Sequence, residues 1–241
     1  MRRVFVAAVM LTLVGCSQAP EQGGKVPGPS PMAASERAAV AVTERQSGRA
    51  PRESSGMTHA PGVFDFYLLN LSWSPEFCAT HEAKAECASG LRFTLHGLWP
   101  QNFDGSYPEH CSNAAGPARP QEYAELYPDT GLLEHEWQTH GTCSGLGPDE
   151  FLRTAQRAVQ SVVVPPVLAK DTTQLQLAPE RILAEFVRVN PGLAMEDLAL
   201  SCGNNRLTAV EVCLSKDLKP VSCQGVKSCK ANVVKVTPPG N

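Results

Sequence analysis

From residue 61 onward, apolar and polar positions recur with periods that separate strands from helices. The run VFDFYLLNLSW, Val63–Trp73, is aromatic-rich and bounded by Pro61-Gly62 and Ser74-Pro75, which predicts a central strand. LRFTLHGLW, residues 91–99, predicts a second strand carrying His96. PDTGLLEHEWQTHGTC, residues 128–143, opens on Pro-Asp-Thr-Gly and continues with helical spacing. Helices are predicted over Pro148–Val162 and Pro179–Asn190, each with proline in its first turn, the second stopping before Pro191. LALSC, residues 198–202, and LTAVEVCL, residues 207–214, read as strands joined by GNNR, a turn of hairpin type. NVVKV, residues 232–236, predicts a last strand. No internal repeat or heptad pattern appears. The expected fold class is α+β: a largely antiparallel central sheet with packed helices, in a single domain over residues 62–237.

The first sixty residues follow none of these patterns. Two arginines precede an apolar run, Val4–Val14, too short to span a bilayer, and Gly15-Cys16 follows. A buried strand is the other use of so short a run, but the Arg pair and the N-terminal position predict a signal peptide over residues 1–16. LVGC also resembles the bacterial lipobox, which would make Cys16 the lipidated first residue of the mature protein. Residues 17–61 hold no Phe, Trp or Tyr and are rich in Pro, Gly, Ser, Ala and Gln. Such a stretch cannot bury enough apolar surface to offset its ordering entropy, so a disordered tether is expected. As a random coil it would span on the order of 35–40 Å. What remains is one domain of about 180 residues, a comfortable size for a single core.

Cysteine and charge narrow the setting. With Cys16 set aside, the other eight of the nine cysteines all fall inside the domain. An even set in an exported chain implies disulfides, although eight cysteines allow 105 connectivities. Zinc would favour CxxC-like spacings, and the closest pair, Cys223 and Cys229, has five residues between. From Pro61 onward, 14 Lys and Arg face 20 Asp and Glu. That balance excludes a broad basic surface for nucleic acid, so any chemistry on nucleic acid must rest on a local site.

Histidine marks that local site. The chain has six, yet His135 and His140 share LLEHEWQTHGTC and His96 lies in FTLHGLWPQ. On a helix Glu136 and His140 share a face, so a carboxylate–imidazole hydrogen bond is expected to fix His140 and raise its basicity. The run reads HExxxH rather than HExxH, and His135 and His140 splay, which disfavours a zinc site. Packed core histidines are the bland alternative. Three histidines and a glutamate in two Gly-flanked, Trp-bearing runs favour a catalytic pair, one base and one acid, working at neutral or mildly acid pH.

FTLHGLWPQ and LLEHEWQTHGTC resemble the two active-site boxes of the ribonuclease T2 family, the exported, largely base-non-specific ribonucleases. FDFYLLNLSWSPEFC is similar to that family's first strand, and LALSCGNNRLTAVEVCLSKD to its C-terminal hairpin. The resemblance implies an endoribonuclease that cuts RNA through the substrate's own 2′-hydroxyl and a 2′,3′-cyclic phosphate, with no metal and no cofactor. It implies His140 as base, His96 as acid, His135 as a phosphate ligand and Glu136 as support for the second box. Trp99 and Tyr107 become candidates for stacking a base, worth about 1–3 kcal/mol; core packing is the alternative for both, and Trp137 is expected to pack the helix on the sheet. Thr139 departs from the family, which usually has Lys or Arg there. Its hydroxyl could bind substrate but brings no charge, which leaves open a catalytically weak RNA-binding or interaction protein of the same fold. The family's habit implies the disulfides Cys78–Cys87, Cys111–Cys143, Cys202–Cys229 and Cys213–Cys223. The expected setting is outside the cytoplasm: the cell envelope, as a periplasmic lipoprotein, or secretion. The protein is expected to be a monomer that touches a membrane only through its lipid anchor.

Overall fold

The computed structural model describes residues 60–81, 84, 87, 92–170 and 173–239. The chain divides into Met1–Glu53 and Ser54–Asn241. The expected signal peptide, nearly all of the expected tether and Cys16 lie outside the described residues.

Among the described residues, six strands and five α-helices follow one another as β1 (Phe66–Trp73), α1 (Ser74–Cys78), β2 (Phe93–Gln101), α2 (Thr130–Thr139), α3 (Pro148–Gln160), α4 (Pro166–Lys170), β3 (Leu175–Leu177), α5 (Pro179–Val189), β4 (Leu198–Gly203), β5 (Arg206–Leu214) and β6 (Val234–Val236). They form one sheet in the order β2-β1-β5-β6-β3, with β4 also paired to β5. β1 is flanked by β2 and β5, antiparallel to both. That central place explains why its sequence reads as a nearly unbroken apolar run: every position but one is buried. The sheet is not wholly antiparallel, because β6 meets the start of β5 in parallel, Arg206 opposite Lys235.

Side chains alternate across β1. Tyr67, Leu69, Leu71 and Trp73 enter the large core shared with α2, α3 and α5. Phe66 and Leu68 point the other way, into a small cluster with Cys213 and Trp99. The helices bury the faces that their periodicity predicts: Phe151, Leu152, Ala155 and Ala158 from α3, and Ile182, Leu183 and Phe186 from α5. α2 begins where Asp129 Oδ1 accepts from the Gly131 and Leu132 amides, which gives the PDTG motif its meaning as a helix N-cap. In GNNR, Asn204 and Asn205 both adopt positive φ (50° and 58°), as a two-residue hairpin turn of this hand requires. The short elements α1, α4 and β3 went unpredicted, since three to five residues are too few for a period to show.

Cys78–Cys87, Cys111–Cys143, Cys202–Cys229 and Cys213–Cys223 are all bridged. Cys111–Cys143 ties the loop after β2 to the segment just beyond α2 across 32 residues. Replacing both cysteines by serine should cost roughly 3–4 kcal/mol in the chain-entropy account. Urea unfolding of the double variant measures this, and an unchanged midpoint would show that the bridge adds nothing.

Candidate active site

The site begins with an irregularity in β2. Its register pairs Asn70 with Gly97 but Leu71 with Leu95, so His96 is the extra residue of a β-bulge. The bulge resets the alternation of the strand. Leu95 and Leu98, three apart, both reach the large core, while Trp99 turns to the opposite face beside Phe66 and Leu68. His96 is left projecting, its side chain 45% exposed.

α2 brings the second half. Trp137 is buried in the core and its indole N–H donates to the Ala114 carbonyl at 2.8 Å, so this tryptophan packs the helix, as expected. Glu136, one residue earlier, is 1% exposed. Its Oε2 accepts from Trp99 Nε1 at 2.7 Å, and its Oε1 lies 3.6 Å from His96 Nε2. This hydrogen bond passes over Gly97, where a β-carbon would overlap both the Glu136 carboxyl and the Trp99 indole. The glycine of HGLW is therefore required by close approach rather than by backbone angle.

Burial shapes the charges. It pushes the Glu136 carboxyl up to about 8, against the Trp99 hydrogen bond, which favours the charged form. Glu136 is thus a neutral carboxylic acid at pH 7, set beside an imidazole rather than paired with it as an anion. His140 moves the other way. Burial, followed by the nearby His135, His96 and His110, pushes it down to about 4, so it is an uncharged imidazole at neutral pH.

One expectation fails here. Glu136 does not hold the His140 ring, and the basicity of His140 is lowered, not raised. The helix ends at Thr139, and His140 is its C-cap, with φ widened to −114°. The two residues keep only their backbone link, the His140 N–H to the Glu136 carbonyl at 3.0 Å. The ring itself sits 5.3 Å from the Trp99 ring, with Nδ1 buried and without a partner among the described residues.

The structure therefore gathers His96, Trp99, Glu136 and His140, with Trp99 between the two imidazoles and 5.3 Å from each. His135 is exposed on α2 and close enough to His140 to depress it. Thr139 is buried, its hydroxyl without a partner among the described residues. Tyr107 stands 50% exposed in the loop after β2, so core packing is not its role. Trp99 packs on the small cluster and remains partly exposed.

Sequence reasoning missed His110. Its backbone N–H donates to the Thr139 carbonyl at 2.8 Å, and its side chain is among the charges acting on His140. The signal was available: His110 precedes Cys111, whose implied partner Cys143 lies three residues past His140. Two clefts open beside His96. One, of about 310 Å³, is lined by Ser72, Phe77, Lys84, Thr94 and Leu132; the other, of about 590 Å³, includes Trp99 and Glu211. Among the described residues, no group of three or more His, Cys, Asp or Glu side chains converges as a metal site.

The model of the ribonuclease T2 family matches residues 64–223. A ribonuclease of Aeromonas hydrophila is 49% identical over 96 residues, a match covering 39% of this chain and 44% of that protein. Ribonuclease DdI of Dictyostelium discoideum is 30% identical over 199 residues, covering 68% of this chain and 84% of the relative. Among solved structures, the RNase-related protein from Calystegia sepium superposes with a TM-score of 0.62 at 22% identity, covering 76% of this chain and 100% of that one. At such identity the likeness is one of fold.

Two outcomes test the site's architecture. Gly97→Ala should destabilise the fold by about 1–3 kcal/mol, because an added methyl has no room against the Glu136–Trp99 pair; wild-type stability would show that the pair moves aside freely. The second outcome concerns pH. Between about 4.5 and 8 the folded state keeps a proton on Glu136 that the unfolded chain has released, so Glu136 lowers stability as pH rises. His140 does the reverse between about 4 and 6.5, so the two offset each other until Glu136 acts alone above 6.5. At about 1.36 kcal/mol per pKa unit, the wild type should lose about 2 kcal/mol from pH 6.5 to pH 8, and Glu136→Gln should stay level. Unfolding curves at the two pH values decide it; equal losses in both proteins would show that Glu136 is ionised in the fold.

Proposed function

The chain belongs to the ribonuclease T2 family, and on that premise we propose that it is a metal-independent endoribonuclease that leaves 2′,3′-cyclic phosphate ends. The carrying observation is the convergence of two imidazoles of opposite character on one indole, beside two clefts. His140 is buried and uncharged at neutral pH, and His96 projects half-exposed from a bulge.

RNA cleavage of this kind needs a base on the 2′-hydroxyl, an acid on the departing 5′-oxygen and donors for the charge that builds on phosphorus. His140 has its lone pair available and takes the 2′-hydroxyl proton. A phosphate arriving beside it counteracts the neighbouring histidines and raises its basicity when the proton must move. His96 protonates the leaving oxygen. Glu136 is a positioning residue: it anchors Trp99, and its neutral carboxyl lies beside His96 without competing with phosphate as an anion. His135, exposed on α2, supplies a donor for the phosphoryl oxygens, whereas the buried Thr139 hydroxyl does not reach them. In the hydrolysis of the cyclic phosphate the two histidines exchange roles. Because the substrate supplies the nucleophile, no metal-bound water is required.

The same reading includes export. Four disulfides suit an oxidising compartment, and a lipid at Cys16 would hold the catalytic domain at the cell envelope. A second reading, a weakly catalytic RNA-binding protein of the same fold, rests on Thr139, which brings no charge to the phosphate.

One assay separates these readings. In a chelator, the purified protein should cut polymeric RNA, spare single-stranded DNA of the same sequence, and yield cyclic phosphate ends early. His96→Ala and His140→Ala should each lower turnover by about 10²–10⁴-fold. Cutting of DNA at the same rate, or near-normal turnover in either variant, would remove this mechanism; binding of RNA without cutting would favour the second reading.

A further inference from the structure

The larger cleft beside His96 has a floor that the cleavage chemistry leaves unused. By the register of the sheet, Gly97 on β2, Asn70 on β1 and Glu211 on β5 lie in one row across the strands. At one end of the row, Gly97 lies under the Glu136–Trp99 hydrogen bond. At the other end Glu211 is 5% exposed, flanked along β5 by the core residues Val210 and Val212. Its Oε1 accepts from Asn70 Nδ2 at 3.0 Å and from Ser201 Oγ at 2.9 Å. These bonds work against burial, which raises the carboxyl's pKa. A fold needs no carboxyl there, since a buried acid costs stability that an apolar side chain would not.

Asn70 and Glu211 of this row line the cleft of about 590 Å³ that also takes in His96, Trp99 and Ser201. That volume lies in the range of small-molecule sites. Its floor is rich in acceptors. Oε1 of Glu211 is already saturated by two donors, and no donor among the described residues reaches Oε2. The neighbouring Asn70 Oδ1 is likewise without a partner. An occupant stacked near the Trp99 indole would complete this floor by offering N–H groups, and would be repelled wherever it offered a carbonyl oxygen.

We propose that this cleft is a nucleobase pocket that selects a base bearing an exocyclic amino group over uracil, with Glu211 reading the amino group through Oε2 and Asn70 and Ser201 holding Glu211 in place. Guanine, adenine and cytosine each present an amino donor. Uracil presents carbonyl oxygens on both sides of its single ring N–H. The assignment rests on the ribonuclease reading for its substrate class, and it adds a selectivity that the catalytic histidines do not provide. A hydrogen bond to a charged acceptor contributes about 1.5–3 kcal/mol, which corresponds to roughly 10–100-fold in discrimination.

The test is Glu211→Gln. The glutamine oxygen can still accept from Asn70 and Ser201, while its amide nitrogen replaces Oε2, so an acceptor becomes a donor without loss of the network. Binding of the four nucleoside 5′-monophosphates to the full-length wild type and variant is measured by calorimetry, beside cleavage rates on dinucleotides that vary one base at a time. The wild type should favour amino-bearing bases about tenfold or more over uracil, and the variant should reverse or abolish that order at unchanged melting temperature. Equal binding of all four bases by the wild type, or the same order in wild type and variant, would overturn the pocket. Should the variant unfold, Ser201→Ala, which removes one of the two hydrogen bonds holding Glu211 in place, must weaken the preference for amino-bearing bases over uracil, and an unchanged preference overturns the pocket. The selective binding pattern without cleavage of any dinucleotide would leave the pocket standing and sink the ribonuclease reading instead.

Discussion

A buried carboxyl that accepts from an indole N–H across the face of a glycine joins the two halves of this site. Glu136 comes from α2 and Trp99 from the edge strand β2, and their 2.7 Å bond passes over Gly97. The contact constrains its surroundings in three ways. Position 97 must lack a side chain, the indole must sit on the face opposite the large core, and the carboxyl must give up water. The first two conditions depend on the bulge at His96, which shifts the alternation of β2 by one residue between Leu95 and Leu98. The third raises the Glu136 pKa and so leaves an acid, rather than an anion, beside His96.

The electrostatics of the site follow from burial more than from ion pairing. Glu136, an anion at pH 7 in water, is neutral here by a raised pKa, and a lowered pKa holds His140 uncharged well below neutral pH. The buried Glu136 carboxyl therefore brings no negative charge beside His96 at neutral pH. The Cys111–Cys143 bridge serves the same arrangement from outside. It holds the loop bearing His110 against the end of α2, where His110 bonds the Thr139 carbonyl.

Much of this could be read along the chain. The strand bearing His96, the helix bearing Glu136, the hairpin at Asn204-Asn205 and the amphipathic α3 and α5 all followed from spacing, capping and turn chemistry. The family boxes pointed to His96 and His140. The partner of Glu136 was misjudged, because the i, i+4 rule assumes a helix that continues through His140, and this one ends a residue earlier. His110 and Glu211 escaped notice for a different reason: neither lies in a motif, and their neighbours come from distant parts of the chain. Asn70 and Glu211 are 141 residues apart in sequence.

The division has a physical basis. Periodicity, caps and turns are encoded by residues within a few positions of one another, so local order along the chain was enough to establish the elements, the α+β class and the two histidine boxes. Protonation states and the hydrogen-bond partners of buried groups depend on which groups lose water together. Trp99 and Glu136 meet across 37 residues, and only the packed sheet and helix bring them into contact. The neutral His140, the neutral Glu136 and the acceptor-rich floor at Glu211 were decided there, because desolvation is a property of the folded neighbourhood.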